Sequence, residues 1–300
     1  MIRIDLDGLR LLDAIARRGS FAAAAEEMHR VPSAVTYGIQ KLEQDLGVIL
    51  FDRSGHRATL TEAGRELLQE GRHLLRAAAE VEERVRQVAR GFETELRIAL
   101  SDLIPLDRFY PLLEAFYVLN CATRIKLSRE VYGGTWDALA TSRADLVIGA
   151  PGEAPPGGGL ATRPLGVVEF VFAIAPGHPL AGLAEPLQRA DIQHHRAVVA
   201  SDSSRNLPPR TSGLLSGQDT LAVPDTEAKL EAHRRGLGVG YLPRQLVLQD
   251  LARGTLICKE VEEPKPQVPL FLAWRSGHRG KALDWFIQRV EQTAAAGLLV

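Results

Sequence analysis

Leu60, Leu67, Leu74, Val81 and Val88 recur every seven residues, with Ala78 and Val85 in a companion seam whose earlier positions are Gly64 and Gly71. A heptad seam sustained this long predicts one helix, capped at Thr61 and running to about Arg90, that pairs with a second chain as a coiled coil. The alternative is a helix packed on its own chain. Each glycine weakens the helix by roughly 1 kcal/mol, yet permits close backbone approach. Such a helix divides the 300-residue chain into two bodies that must be read separately.

Residues 1–60 read as three short helices and a hairpin. Leu9, Leu12, Ile15 and Ala16 lie at helical spacing and Gly19 ends the helix. Ser20 is placed to cap the next, whose small Ala22 to Ala25 side chains allow close packing. The third helix has two faces. Val35, Ile39, Leu42 and Leu46 form one aliphatic stripe, and Ser33, Thr36, Tyr37 and Gln40 form a second. The second set is short or flat and bears hydrogen-bonding groups, which suits base edges and phosphates. Pro32 fits the first turn and Gly47 stops the helix. Val48 to Arg53, a turn at 54–56 and a return strand from Arg57 to Leu60 read as a wing.

From Glu95 strands and helices alternate. Leu96, Ile98 and Leu100 suggest a strand, and Arg108 to Leu119 a helix with Pro111 in its first turn. Ile125, Leu127 and Val131 suggest a second strand, Thr135 to Ser142 a helix and Leu146 to Ile148 a third strand. The order predicts a parallel sheet with right-handed crossovers. Pro151 to Gly159 reads as a loop and Val167 to Phe172 as one further strand. Strands are also expected at Ala197 to Ala200, Leu221 to Val223, Val239 to Leu242, Leu256 to Val261 and Pro269 to Trp274, with a last helix from about Lys281. Two sheet-forming stretches and two crossings imply two α/β lobes with a cleft between them.

Composition excludes more than it selects. Charged content of 24% and a net charge of −1 give no global attraction to polyanions, and residues 1–60 hold equal numbers of acids and Lys/Arg. Cys121 and Cys258 lie far apart and form no disulfide framework or zinc spacing, which fits a reducing cytoplasm. No apolar run reaches membrane-spanning length, and the first residues have no signal-like apolar region. Gly236 to Gly240 follows a helix and precedes a strand, the reverse of a dinucleotide loop, and His194-His195 lacks supporting ligands. No catalytic arrangement, metal site or cofactor is expected. An α/β enzyme or a transport solute-binding protein would need, respectively, a catalytic constellation or an export signal.

Phe21 to Glu27, Ala34 to Glu43, Leu46 to Arg53 and Leu60 to Gly64 resemble, in order and spacing, the winged helix and linker start of the LysR-type transcription regulators. Gly177 to Ala181 and Gly236 to Pro243 match that family's effector domain more loosely. The resemblance departs at Val31-Pro32-Ser33, where the family has Ser-Gln-Pro, and at His56, where it has arginine, with Arg57 beside it.

The resemblance implies an α/β chain with an N-terminal all-α winged helix-turn-helix (1–60), a long linker or dimerisation helix (61–92) and a two-lobed, periplasmic-binding-protein-like effector domain (93–300). Lobe I would span about 93–162 and 268–300, and lobe II about 163–267. It also implies a cytoplasmic, ligand-responsive regulator whose partners are double-stranded promoter DNA, a small-molecule effector, a second copy in a dimer or tetramer, and RNA polymerase. The recognition helix would enter the major groove with Ser33, Thr36, Tyr37 and Gln40, while Arg53, His56 and Arg57 meet phosphates or the minor groove. The effector, a carboxylate or aromatic compound, would sit where parallel strands end. Candidate residues are Ser101, Asp102, Tyr132, Gly134, Thr135, Asp202, Ser203, Ser204, Arg205 and Thr226, with Arg205 pairing an anion and Tyr132 or Trp136 walling an aromatic ring. Ser203 and Thr226 could equally be helix caps.

Overall fold

Local chemistry sets the helix ends in the first part of the chain. Asp5 caps α1 (Leu6–Arg18) by accepting from Gly8 N at 2.6 Å, and Ser20 caps α2 (Phe21–Glu27) by accepting from Ala23 N at 3.1 Å. Gly19 and Gly47, at φ 74° and 70°, end α1 and α3 (Pro32–Leu46) in the left-handed region that glycine enters freely. A computed structural model describes residues 3–52, 59–156, 158–210, 213–277 and 280–299. It divides into two units, Met1–Arg86 and Gln87–Val300.

In the first unit, Leu11, Leu12, Ile15, Ala24, Ala25, Val35 and Ile39 form the core, with Leu50 and Phe51 below α3. Leu11 was absent from the expected stripe, whereas Ala16 is only half-buried. The wing strands are short: β1 (Phe51–Asp52) pairs antiparallel with β2 (Thr59–Leu60), and Val48 and Ile49 are exposed rather than paired. Arg53, His56, Arg57 and the expected turn lie outside the described residues.

Helix α4 (Glu62–Ala89) begins as expected, with Thr61 Oγ1 accepting from Gly64 N at 3.0 Å. Its two halves differ. A Cβ on Gly64 would fall 2.2 Å from Leu50 O, and one on Gly71 2.8 Å from Leu9 Cδ2, so both glycines seat the helix on its own chain. Leu67 and Leu68 pack on the same core. Beyond them Leu74, Val81, Val85 and Val88 are 49–63% exposed. The glycines therefore serve packing within the chain, and the apolar seam stands open only in the later half.

The second unit opens with β3 (Glu95–Ser101), α5 (Leu106–Tyr117), β4 (Arg124–Glu130), α6 (Gly134–Ala140) and β5 (Leu146–Pro151). Strand β3 lies between β4 and β5 and is parallel to both. Its residues Ile98, Ala99 and Leu100 are buried on both faces, which explains the near-continuous apolar run. Helix α5 starts two residues earlier than expected, so Pro111 lies inside it rather than in its first turn.

Strand β6 (Leu160–Val168) completes a five-stranded sheet of order β4-β3-β5-β12-β6, in which β12 (Val268–Arg275) runs antiparallel to β5 and β6. Helices α5 and α10 (Lys281–Ala295) supply Phe109, Phe116 and Phe286 to one face, and α6 supplies Trp136 and Leu139 to the other. The single strand expected over Val167 to Phe172 is two. Glu169 separates β6 from β7 (Phe170–Ile174), the centre of a different sheet, where it pairs antiparallel with Gly240–Pro243 on one side and Ile257–Lys259 on the other. The first crossing between lobes is thus at Glu169 rather than near residue 163. The apolar run continues through it because each half is buried in a separate core.

Lobe II adds α7 (Arg189–Gln193), parallel β8 (Ala197–Ala200) and β9 (Thr220–Val223), α8 (Thr226–Arg234), β10 (Gly240–Pro243), α9 (Arg244–Arg253) and β11 (Ile257–Lys259). Residues 260–267 make the second crossing. Gly238 keeps the turn before β10 tight, since a Cβ there would meet Arg196 O at 2.5 Å. This is a packing role for the glycine-rich stretch.

Candidate functional site

The two faces of α3 separate cleanly. Val35 and Ile39 are fully buried and Leu42 nearly so, while Ser33, Tyr37 and Gln40 are exposed, Tyr37 by 69%. Thr36 is half-buried, and its hydroxyl donates to Pro32 O at 3.0 Å, back-bonding within the helix. Exposed Lys41 lies one turn beyond Tyr37 and was not among the expected contacts. Several other cations of this unit are occupied. Arg17 and Arg18 both pair with Glu27, and their guanidinium groups hold its carboxyl down at about 2. Arg30 grips Asp7 with two bonds of 2.7 and 2.8 Å. The charge balance of the sequence is realised as ion pairs.

In the second unit, most of the expected effector residues are committed to the protein itself. Ser101 is fully buried and its Oγ accepts from Leu103 N at 3.3 Å. Asp102, after β3, accepts from Thr226 N at 3.0 Å and Thr226 Oγ1 at 2.5 Å, tying lobe I to the start of α8. Burial pushes the Asp102 carboxyl above its ordinary range against the pull of those bonds, and its Oδ1 has no partner among the described residues. Thr226 is therefore a cross-lobe donor, while Asp225 is the α8 cap.

Residues 202–210 dock on lobe I. Ser203 Oγ donates to Glu130 Oε2 at 2.6 Å and accepts from Val131 N at 2.9 Å, so Ser203 caps no helix. Gly134 backs against it, since a Cβ would fall 1.8 Å from Ser203 Oγ. Asp202 accepts from the backbone of Gly133, Ser204 and Arg210. Ser204 Oγ is buried without a partner among the described residues. Asp137, fully buried on α6, accepts from the N–H groups of Arg205, Asn206 and Leu207 and from Arg143. Burial raises this carboxyl, but the Leu207 N–H, Arg143 and the other N–H groups together hold it below its ordinary range. Arg205 is exposed, and among the described residues it is anchored only through its backbone. Trp136 is core, its Nε1 donating to Pro151 O at 3.0 Å, so it walls no ligand.

The space between the lobes is a cavity of about 500 Å³, within the range of small-molecule sites. Leu103, Phe170, Pro209 and Val268 give it an apolar lining, and Tyr132, Arg210 and Lys265 give it polar groups. Of the ten expected residues only Tyr132 lines it. Tyr132 is at φ 48°, unusual for a bulky residue, and Thr135 Oγ1 donates to its carbonyl at 2.9 Å. Burial keeps the Tyr132 phenol protonated, pushing it up to about 12. Lys229 on α8 is 6% exposed. Burial, then nearby Lys265, pushes its ammonium down to about 7, with Asp102 pulling the other way. Sequence reasoning missed Phe170 and Lys265 because they lie at or beside the crossings, Arg210 because it lies in the docked segment and Lys229 because it lies on a helix, none of them directly after the carboxyl end of a parallel strand.

The N-terminal segment 6–65 matches the family model described as a bacterial regulatory helix-turn-helix protein, lysR family. Residues 89–295 match the LysR substrate binding domain. The HTH-type transcriptional regulator YeeY of Escherichia coli is 41% identical over 294 residues, covering 98% of this chain and 95% of that protein. YhaJ, an HTH-type transcriptional regulator of Escherichia coli, is 38% identical over 287 residues, covering 96% of each chain. Among solved structures, OxyR of Corynebacterium glutamicum shares the fold with a TM-score of 0.63 at 18% identity, covering 99% of this chain and 95% of that one. Two family matches in the expected order, together with relatives aligned along almost the whole length, show that the chain belongs to the LysR family of transcription regulators.

Proposed function

We propose that α3 reads promoter DNA in the major groove through Ser33, Thr36, Tyr37 and Gln40, joined by Lys41, with Arg53, His56 and Arg57 contacting the backbone. The observation that carries this is the 69% exposure of Tyr37 on a helix whose Val35 and Ile39 are fully buried. An aromatic and an amide held out by a rigid helix suit groove recognition. Residues 1–60 form the DNA-binding part, 61–92 the linker and 93–300 the effector domain. An effector in the inter-lobe cleft shifts the regulator between two arrangements, to the extent that it binds one more tightly.

The open seam of α4 at Leu74, Val81, Val85 and Val88 favours a dimer joined by that helix, and dimers pairing into tetramers. RNA polymerase is the further partner. The protein acts in the cytoplasm by binding rather than by turnover; no helix among the described residues is long and apolar enough to cross a membrane.

The test is titration of the full chain onto DNA upstream of its own gene. Binding should be salt-sensitive and sequence-selective, and Tyr37→Ala or Gln40→Ala should weaken it by roughly 1–3 kcal/mol with an unchanged melting profile. Absence of selective binding at micromolar protein would overturn the reading.

A further inference from the structure

The lining of the inter-lobe cavity has a sign. Arg210 and Lys265 both face it, and none of its described lining residues is an acid. Arg210 Nη1 donates to Pro151 O at 3.1 Å, a neutral partner. Lys265 Nζ sits 3.8 Å from the centre of the Phe170 ring, where the aromatic face stabilises a cation without neutralising it. No carboxylate forms an ion pair with Lys265 or Lys229 among the described residues. Asp102, the acid that acts on Lys229 from nearby, is bonded to Thr226. Lys265 is half-buried and Arg210 exposed; a partly desolvated cation without a counter-charge is costly, and this lining favours an anion. The rest of the wall, Leu103, Phe170 and Val268, is apolar and suits a nonpolar body.

We infer that the effector is a small organic carboxylate with an apolar body. Its anionic group seats against Lys265 and Arg210, and its body against Phe170, Leu103 and Val268. This rests on the cleft being the effector site. It replaces Arg205, which does not line the cavity, as the anion's partner.

Calorimetric titration of the full chain with matched probes tests it: benzoate, benzamide and benzylamine, then 4-methylpentanoate and its amide. At least one carboxylate should bind, with its amide roughly ten- to hundredfold weaker, the loss expected for a charge-assisted contact. Lys265→Met should lower carboxylate affinity by a similar factor, and Lys265→Arg should restore most of it. Val268→Trp, which fills the cavity, should abolish binding. Thermal melting checks that each variant is folded, and Lys265→Arg supplies the folded comparison if Lys265→Met is not. Equal or tighter binding of the amides or the amine, no carboxylate binding at millimolar concentration, or undiminished affinity in Lys265→Met or Val268→Trp would overturn the inference. Selective DNA binding by the unmodified chain, measured in parallel, separates the two failures: if it persists while carboxylates do not bind, only this inference falls, and if it is absent, the regulator reading falls.

Discussion

Helix α3 and the inter-lobe cleft are both candidate recognition sites, built in opposite ways. The helix presents Ser33, Tyr37 and Gln40 within eight consecutive residues, and one buried stripe, Val35, Ile39 and Leu42, sets their direction. The cleft draws Leu103, Tyr132, Phe170, Arg210, Lys265 and Val268 from five separate stretches. Their positions depend on partners far away in sequence, such as Asp102 with Thr226, 124 residues apart. A site on one helix needs only the helix and its seat. A site between lobes needs every crossing and docked segment in place.

The strongest way to break this contrast is Ile39→Asp. A charge buried in that seat without a partner should cost more than about 4 kcal/mol, abolishing DNA binding. If the two units stand independently, calorimetry should still show the transition of residues 87–300. Loss of both transitions would mean that the units fold as one.

Next is Asp137→Ala, which leaves three backbone N–H groups without their acceptor and Arg143 with Glu130 as its remaining carboxylate. The expected cost is about 3–5 kcal/mol, with hydrogen exchange rising at residues 205–207 and ligand affinity falling through loss of the Arg210 position. Unchanged exchange there would show that the segment is held by other contacts.

The smallest effect is a gain. Lys229 holds its proton only below about 7 in the folded chain, against an ordinary value near 10.4 when unfolded. Above the unfolded value both states are neutral and burial carries no charge penalty. Between the two values the unfolded chain binds the extra proton, so this group's contribution makes stability rise with pH. At and below pH 7 the penalty is complete. Lys229→Met should therefore raise Tm at pH 6–7 by a few degrees, at about 2–4 °C per kcal/mol for a domain of this size, with the gain fading toward pH 10. A pH-independent gain would assign it to packing instead. A stability gain accompanied by weaker carboxylate binding would mark Lys229 as kept for function.

The helix-turn-helix was legible because its signals are local. Caps at Ser20 and Thr61, stops at Gly19 and Gly47, and a period that puts Val35 with Ile39 all act within a turn or two. The βαβαβ succession from β3 to β5 followed from alternation for the same reason, whereas the antiparallel place of β12 between β5 and β6 did not. Misreadings fell where two distant elements compete for one stretch. Val167 to Phe172 looks like one strand because both halves are buried, though in different sheets. Gly64 and Gly71 fit a helix pair, but their close neighbours are Leu50 and Leu9 of the same chain.

By itself, then, the sequence determined which segments become helices and strands, where most of them stop and which side of α3 meets water, since each is settled by neighbours a few residues away. Only the tertiary structure decided which polar groups remain available to a ligand. Ser101, Asp102, Ser203 and Thr226 are consumed by bonds formed on folding, whereas Lys265 and Arg210 are left facing the cavity. A hydroxyl or carboxylate satisfied inside the fold and one left free are identical as letters, and the difference lies in the partner that long-range packing brings to it.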